Sequence, residues 1–359
     1  EGGRRSDFAL WFGVGELPEG KPIEWRSANY PDSGYAILAR GEGKDATWLC
    51  LKYGPHGGGH GHPDKLHISL YSRGRIVAPD PGSLGYDNPE HLTWANQTIA
   101  HNTVTVDEVS QYPQGMSDSI WASERRGKPS VGKLIFFHPG RVLKAARATC
   151  DNAYEGVILD RTIALIGPLL VDIYRVRSAD EHQYDWAFHV DGQLIEASLK
   201  LEEVPGVLSP SRGYSHIIDV RRGQMNGHSC HLTFSVSEGD VMRMAIFPVP
   251  GGELILGSGL KTREERMPVV IVRAKGEDAA FVAAIWVGPR SAPPFRVERL
   301  EGMPEGVIGL MIENPDGERY YLVSAGKPRR IGIGGEEVEG QLALFREEDG
   351  GIEAVEVVR

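Results

Sequence analysis

Along most of the chain apolar and polar residues alternate with a period of two, the mark of strands with one buried face. Residues 34–40 and 46–53 form two such runs parted by Gly41-Glu42-Gly43-Lys44-Asp45, which predicts an antiparallel hairpin. In residues 65–71, Leu66, Ile68 and Leu70 alternate with His67, Ser69 and Tyr71, so His67 is expected on the open face of a strand. Residues 103–107 alternate again, and a helical turn is expected near Pro89-Glu90-His91. Further strands are predicted at 133–137, 142–148, 156–166, 169–177, 185–189, 231–236, 242–249, 268–273, 279–287, 307–313 and 320–323. Lys275-Gly276-Glu277-Asp278 and Asn314-Pro315-Asp316-Gly317 read as turns between them. No segment sustains a 3.6-residue period. The expected fold is all-β: a large antiparallel sandwich over residues 8–290, then a small C-terminal β-unit over 291–359 after Ser291-Ala292-Pro293-Pro294. Residues 1–7 read as a linker.

Composition supports that picture and narrows the partners. The 359 residues include 45 Gly and 23 Pro, which suits many strands joined by turns. A net charge of −10 argues against non-specific nucleic-acid binding, while a local basic pocket for an anionic substrate stays compatible with it. No apolar run reaches the roughly 20 residues of a membrane-spanning helix, and no signal peptide opens the chain. The first residue is Glu1, not Met, which suggests a processed chain or a fragment of something longer. Location is open between cytoplasm and export. Cys50, Cys150 and Cys230 are far apart and form no CxxC, so neither a disulfide framework nor a thiolate zinc site is expected. Cys50, within Trp48-Leu49-Cys50-Leu51, reads as a small buried hydrophobe.

Candidate chemistry concentrates in residues 54–65, where His56, His60 and His62 lie among five glycines. Imidazole is the commonest protein ligand for borderline metals and the commonest proton carrier near neutral pH. His62, Asp80 and His101 make a two-imidazole, one-carboxylate set of the kind that holds zinc. They lie 18 and 21 residues apart, so three separate strands or loops must bring them together. The competing reading is a polar cluster of hydrogen-bonded histidines. In an extended run His60 and His62 share a face, so both could ligate, or one could ligate and the other transfer protons. Tyr86 lies in a glycine-flanked loop and could donate a hydrogen bond or a proton to a ligand. Trp94 reads as packing rather than sugar stacking, and so does the Tyr184, Trp186, Phe188 row. The cupin spacing is met by Gly54, His60, His62 and Gly74, but its Glu position is His67 and no second cupin motif follows.

A different resemblance covers more of the chain. Gly57-Gly58-Gly59-His60-Gly61-His62-Pro63-Asp64-Lys65-Leu66, Ala78-Pro79-Asp80-Pro81-Gly82 and Thr98-Ile99-Ala100-His101-Asn102-Thr103 together resemble the heparinase II/III-like polysaccharide lyases, and among them the exo-acting oligoalginate lyases. Tyr30-Pro31-Asp32-Ser33-Gly34-Tyr35 and Tyr184–Gly192 are similar to the same family. The resemblance implies an antiparallel β super-sandwich and zinc held by His62, Asp80 and His101. It implies His60 as a catalytic histidine and Tyr86 as a substrate contact. It also implies β-elimination on an anionic, uronate-containing glycan, alginate-type or heparin-type. The family's N-terminal α/α toroid, with its Asn-His pair and catalytic Tyr, has no counterpart here, so that domain is an expected partner. A non-catalytic carbohydrate-binding module and a cupin-like metal enzyme are the alternatives. The uronate polymer, exo or endo action and any homo-oligomer stay open.

Overall fold

The computed structural model describes residues 25–55, 61–85, 87–112, 130–348 and 351–359. His60 and Tyr86 lie outside the described residues. Among the described residues the chain is nearly all strand, in three antiparallel sheets, and no helix is long and apolar enough to cross a membrane.

The first sheet holds β1 (Ala28–Tyr30), β2 (Tyr35–Arg40), β3 (Thr47–Lys52), β4 (Ile68–Ser72) and β5 (Arg75–Ala78) in chain order. The predicted hairpin is β2 and β3, paired from Tyr35↔Lys52 to Arg40↔Thr47. Alternation puts Ala36, Leu38, Leu49, Leu51, Ile68 and Leu70 inward. Trp48, Cys50 and Tyr71 face outward, so Cys50 is half-buried rather than a core residue. Gly34, with φ +68°, turns β1 into β2 where a Cβ would strike the Cα of Gly54 at 1.8 Å. Tyr53 and Gly54 both donate to the Gly34 carbonyl there, which fixes the start of the His/Gly stretch.

The second sheet has twelve strands: β6 (Val104–Val106), β7 (Lys133–Pro139), β8 (Leu143–Tyr154), β9 (Val157–Ile166), β10 (Leu169–His189), β11 (Gln193–Ala197), β12 (Glu202–Val204), β13 (Ile218–Gln224), β14 (Cys230–Ser235), β15 (Asp240–Ile246), β16 (Glu253–Leu260) and β17 (Arg266–Pro289). Its spine is the β10–β17 pair. Two predicted strand pairs therefore merge into two long strands, and the expected turn at 275–278 is not a turn. The register jumps there from Arg177↔Asp278 to His182↔Gly276, so the surplus residues of β10 bulge and both strands bend without ending.

The third sheet is β18 (Arg296–Arg299), β19 (Val307–Glu313), β20 (Arg319–Ile333), β21 (Glu336–Glu348) and β22 (Gly351–Val358). Successive residues of β10 face opposite ways. Leu170, Tyr174 and Val176 join the first sheet in one core. Leu169, Val171 and Ile173 meet Leu310, Leu322 and Leu344 of the third sheet in another. The molecule is thus three stacked layers with the large sheet in the middle, one layer more than a simple two-sheet sandwich.

Candidate metal and catalytic site

Three connections meet at the edge of the first sheet: the segment from Gly61 to His67, the loop after β5, and the turn Thr98–Ala100 that leads into β6. Polar groups tie them together. Thr98 Oγ1 donates to the Pro63 carbonyl at 2.6 Å and Thr103 Oγ1 to the Lys65 carbonyl at 2.7 Å. Arg161, fully buried and forked on Asp172, donates to the Leu66 and Asn102 carbonyls at 2.6 and 2.5 Å. The Asn102 amide nitrogen donates to the Ile68 and Pro79 carbonyls, and its oxygen accepts from the His189 backbone and Nδ1. Asn102 therefore holds its own neighbour His101 and, through Pro79, Asp80 in one frame.

The result brings His62, Asp80 and His101 together, joined by Asp64. One ligand atom from each of the four lies within 4.8 Å of every other. Asp80 Oδ1 accepts from the Gly82 amide at 2.9 Å, which turns Oδ2 toward His101 Nδ1 at 3.2 Å and His67 Nε2 at 3.6 Å. His101 is completely buried and its Nε2 donates to the Ala95 carbonyl at 3.1 Å. That bond fixes the tautomer: in the neutral ring the lone pair is on Nδ1. This buried Nδ1 has no hydrogen-bond partner and faces a carboxylate oxygen. A metal ion between this nitrogen and the carboxylate would satisfy both acceptors. The residues present therefore fit a borderline divalent cation.

Burial tunes the surrounding groups. It pushes the His62 imidazole down to about 4, with nearby His101 adding to the effect, so His62 is neutral and able to ligate at pH 7. His67 is pushed down to about 3, again mainly by burial. Its Nδ1 accepts from the Asn102 amide at 3.0 Å, so its Nε2 carries the proton and serves Ser69 Oγ at 2.9 Å and the Asp80 side. His67 is thus buried beside the cluster, not on an open sheet face. Leu66 has φ +61° and the strand starts only at Ile68, which turns His67 inward. Burial works against charge on Asp64, but Lys52 at 2.5 Å and Lys65 at 3.5 Å overcome it and hold its carboxyl well below the usual carboxylate range. Trp94 is core, its Nε1 donating to the Leu260 carbonyl at 2.9 Å. Asp64, His67 and Asn102 join the site without a signal of their own in the sequence beyond adjacency to the His-x-His and Ala-His-Asn motifs.

Residues 22–255 match the heparinase II/III-like, C-terminal family, and the chain belongs to it. An alginate lyase of Stenotrophomonas maltophilia is 27% identical over 287 residues, covering 74% of this chain and 38% of the relative. An exo-oligoalginate lyase of Saccharophagus degradans is 32% identical over 222 residues, 55% of this chain and 29% of the relative. A heparan sulfate lyase from Pedobacter heparinus shares the fold, with a TM-score of 0.62 at 15% identity over 90% of this chain and 47% of that structure. The chain spans well under half the length of these curated relatives.

Proposed function

We propose that the chain is the β-sheet part of a polysaccharide lyase that cleaves uronate-containing glycans, alginate-type oligosaccharides first and heparin-type second, with zinc held by His62, Asp80 and His101. The observation that carries it is the convergence of that set in a member of this family, with the lone pair of His101 Nδ1 turned on the Asp80 carboxylate. Zinc held by His62, Asp80 and His101 would supply the positive charge that these three chain connections share. The protein's own residues do the rest of the ordering: Ala95 sets the His101 tautomer, Gly82 aims Asp80, and Asn102 braces both.

In the elimination a base removes the C5 proton of the uronate and the electron pair forms the C4–C5 double bond. The O4 leaving group departs with a proton from an acid. The carboxylate must be neutralised as charge spreads into it, and such electrostatic stabilisation is a large part of lyase catalysis. His60, two residues before His62, is our candidate for base or neutraliser, with Tyr86 contacting substrate and a helical toroid domain supplying the remaining groups. The test uses the full-length protein on alginate and heparan oligosaccharides, following the ultraviolet absorbance of the unsaturated product. The wild type is expected to form it and carry one zinc per chain by elemental analysis. His60→Ala should retain zinc and lose activity, and His62→Ala should lose zinc. Full activity in the first variant, or stoichiometric zinc in the second, overturns the corresponding assignment.

A further inference from the structure

On the opposite face of the large sheet, three arginines crowd one carboxylate where the third sheet packs. Arg147 forks onto Asp160 at 2.8 and 2.5 Å and reaches Gln341 Oε1 at 2.9 Å and the Gly326 carbonyl at 2.5 Å. Asp160 is fully buried and its two oxygens are taken by that fork. Arg175, opposite Asp160 across β9 and β10, is only 7% exposed. Its Nη2 donates to the Ser324 carbonyl at 3.0 Å and to Ser324 Oγ at 3.2 Å, while its Nη1 is buried and without a partner. Arg177 stands two residues further along the same face and comes no nearer Asp160 than 3.7 Å. Thr162, two residues along β9 from Asp160, has a buried hydroxyl that is also unpartnered.

Three guanidiniums against one carboxylate leave a surplus of positive charge in a mostly buried seam. Uncompensated buried charge is strongly unfavourable. Burial and the neighbouring arginines 147, 177 and 299 pull the Arg175 guanidinium down to about 10 despite Asp160. Beside Gly326 the backbone leaves Arg177 unobstructed: a Cβ there would meet only Arg177 Nη1, at 3.7 Å. It is open on one side, because the Arg177 side chain is 47% exposed. The register of β20 against β21 shifts between Ser324, which accepts from Arg175, and Arg329.

We propose that Arg175 and Arg177 hold an oxyanion, inorganic or a sugar carboxylate, in the seam between the large sheet and the C-terminal sheet. Guanidinium forks match the planar and tetrahedral oxygens of such ions better than a halide. Arg175 Nη1 supplies the buried donor and Arg177 the entrance. The site lies on the face of the large sheet away from His62, Asp80 and His101, and it does not depend on the lyase reading.

The experiment takes the purified protein and measures thermal unfolding and calorimetric binding with sulfate, phosphate and glucuronate, using chloride at matched ionic strength as the reference. A saturable stabilisation by oxyanion over chloride is expected in the wild type. Arg177→Gln, at a half-exposed position and expected to keep the wild-type unfolding curve in chloride, should weaken apparent affinity at least tenfold, and Arg175→Met should abolish it. Tighter saturation by glucuronate identifies a sugar carboxylate as the ligand; tighter saturation by sulfate or phosphate identifies an inorganic one. Non-saturating shifts of equal size in wild type and Arg177→Gln would be the general salt effect of excluded ions and would overturn the proposal. Arg177→Gln carries the test alone should Arg175→Met fail to fold.

Discussion

At the scale of single residues the distinguishing feature is a set of imidazoles kept neutral by burial. His189 is fully buried; its Nδ1 donates to Asn102 Oδ1 at 3.0 Å and its Nε2 has no partner. Burial, helped by His101 and His67, pushes it down to about 3. The unfolded chain binds a proton at each histidine near pH 6.5, whereas folded His189 does not until about pH 3. Stability from this group is therefore present above pH 6.5 and is lost as pH falls below it. The slope is about 1.4 kcal/mol per pH unit for each such group. Urea unfolding at pH 7, 6 and 5, with chelator present to remove metal linkage, is expected to show this decline. His189→Gln keeps a donor toward Asn102 and should remove one group's share of the slope. Equal slopes in variant and wild type would mean that His189 titrates normally.

The same residues show why part of the site was legible and part was not. His62, Asp80 and His101 stand in a recognisable motif combination, so their convergence could be expected across 18- and 21-residue gaps. His67 was hidden because period-two reading assumes the strand is already under way at Leu66. The positive φ of Leu66 breaks that phase before β4 begins. Asp64 is hidden because its role depends on Lys52 at the end of β3, twelve residues away in the chain.

Among elements, the short helical segment His91–Ala95 does more than connect. Its turn is wide, with the Asn96 amide donating to the His91 carbonyl, and it presents the Ala95 carbonyl that receives His101 Nε2. Trp94 anchors it on β16, where Gly259 leaves space: a Cβ there would approach Trp94 Cη2 and Cζ2 at 2.6 and 2.7 Å. Overpacking of this kind costs roughly 1–3 kcal/mol. Gly259→Ala should therefore lower the melting temperature and, by moving Ala95, weaken metal retention during dialysis against chelator. A variant that loses stability yet retains metal like the wild type would show that this segment does not orient His101. Local pattern predicted a helical turn here, and it predicted the β2–β3 hairpin, because near neighbours decide both. It could not predict that β10 and β17 run unbroken past Lys275-Gly276-Glu277-Asp278. That outcome rests on pairing with residues about a hundred positions away, where a bulge absorbs what reads locally as a turn.

Across the whole molecule the layers are joined by apolar cores and, on one side, by Arg147, which links Asp160 of the large sheet to Gln341 and Gly326 of the third. In the structure β10 is apolar on both faces, with Leu170 and Tyr174 in one core and Val171 and Ile173 in the other; alternation read as one buried face misses the second layer and the charges that bridge it. Arg147→Met strands a fully buried carboxylate and two acceptors of the third sheet, at a cost of about 3–5 kcal/mol. For an isolated buried pair, also replacing the acid by an apolar residue restores much of the loss. Here Asp160 also lies 3.7 Å from Arg177 and is the cross-strand neighbour of Arg175. Arg147→Met with Asp160→Leu should therefore recover little in urea unfolding, because removal of the acid leaves two guanidiniums facing each other without it. Recovery to near wild-type stability would mean that Arg147 and Asp160 form a self-contained pair and that solvation alone accommodates the remaining arginines.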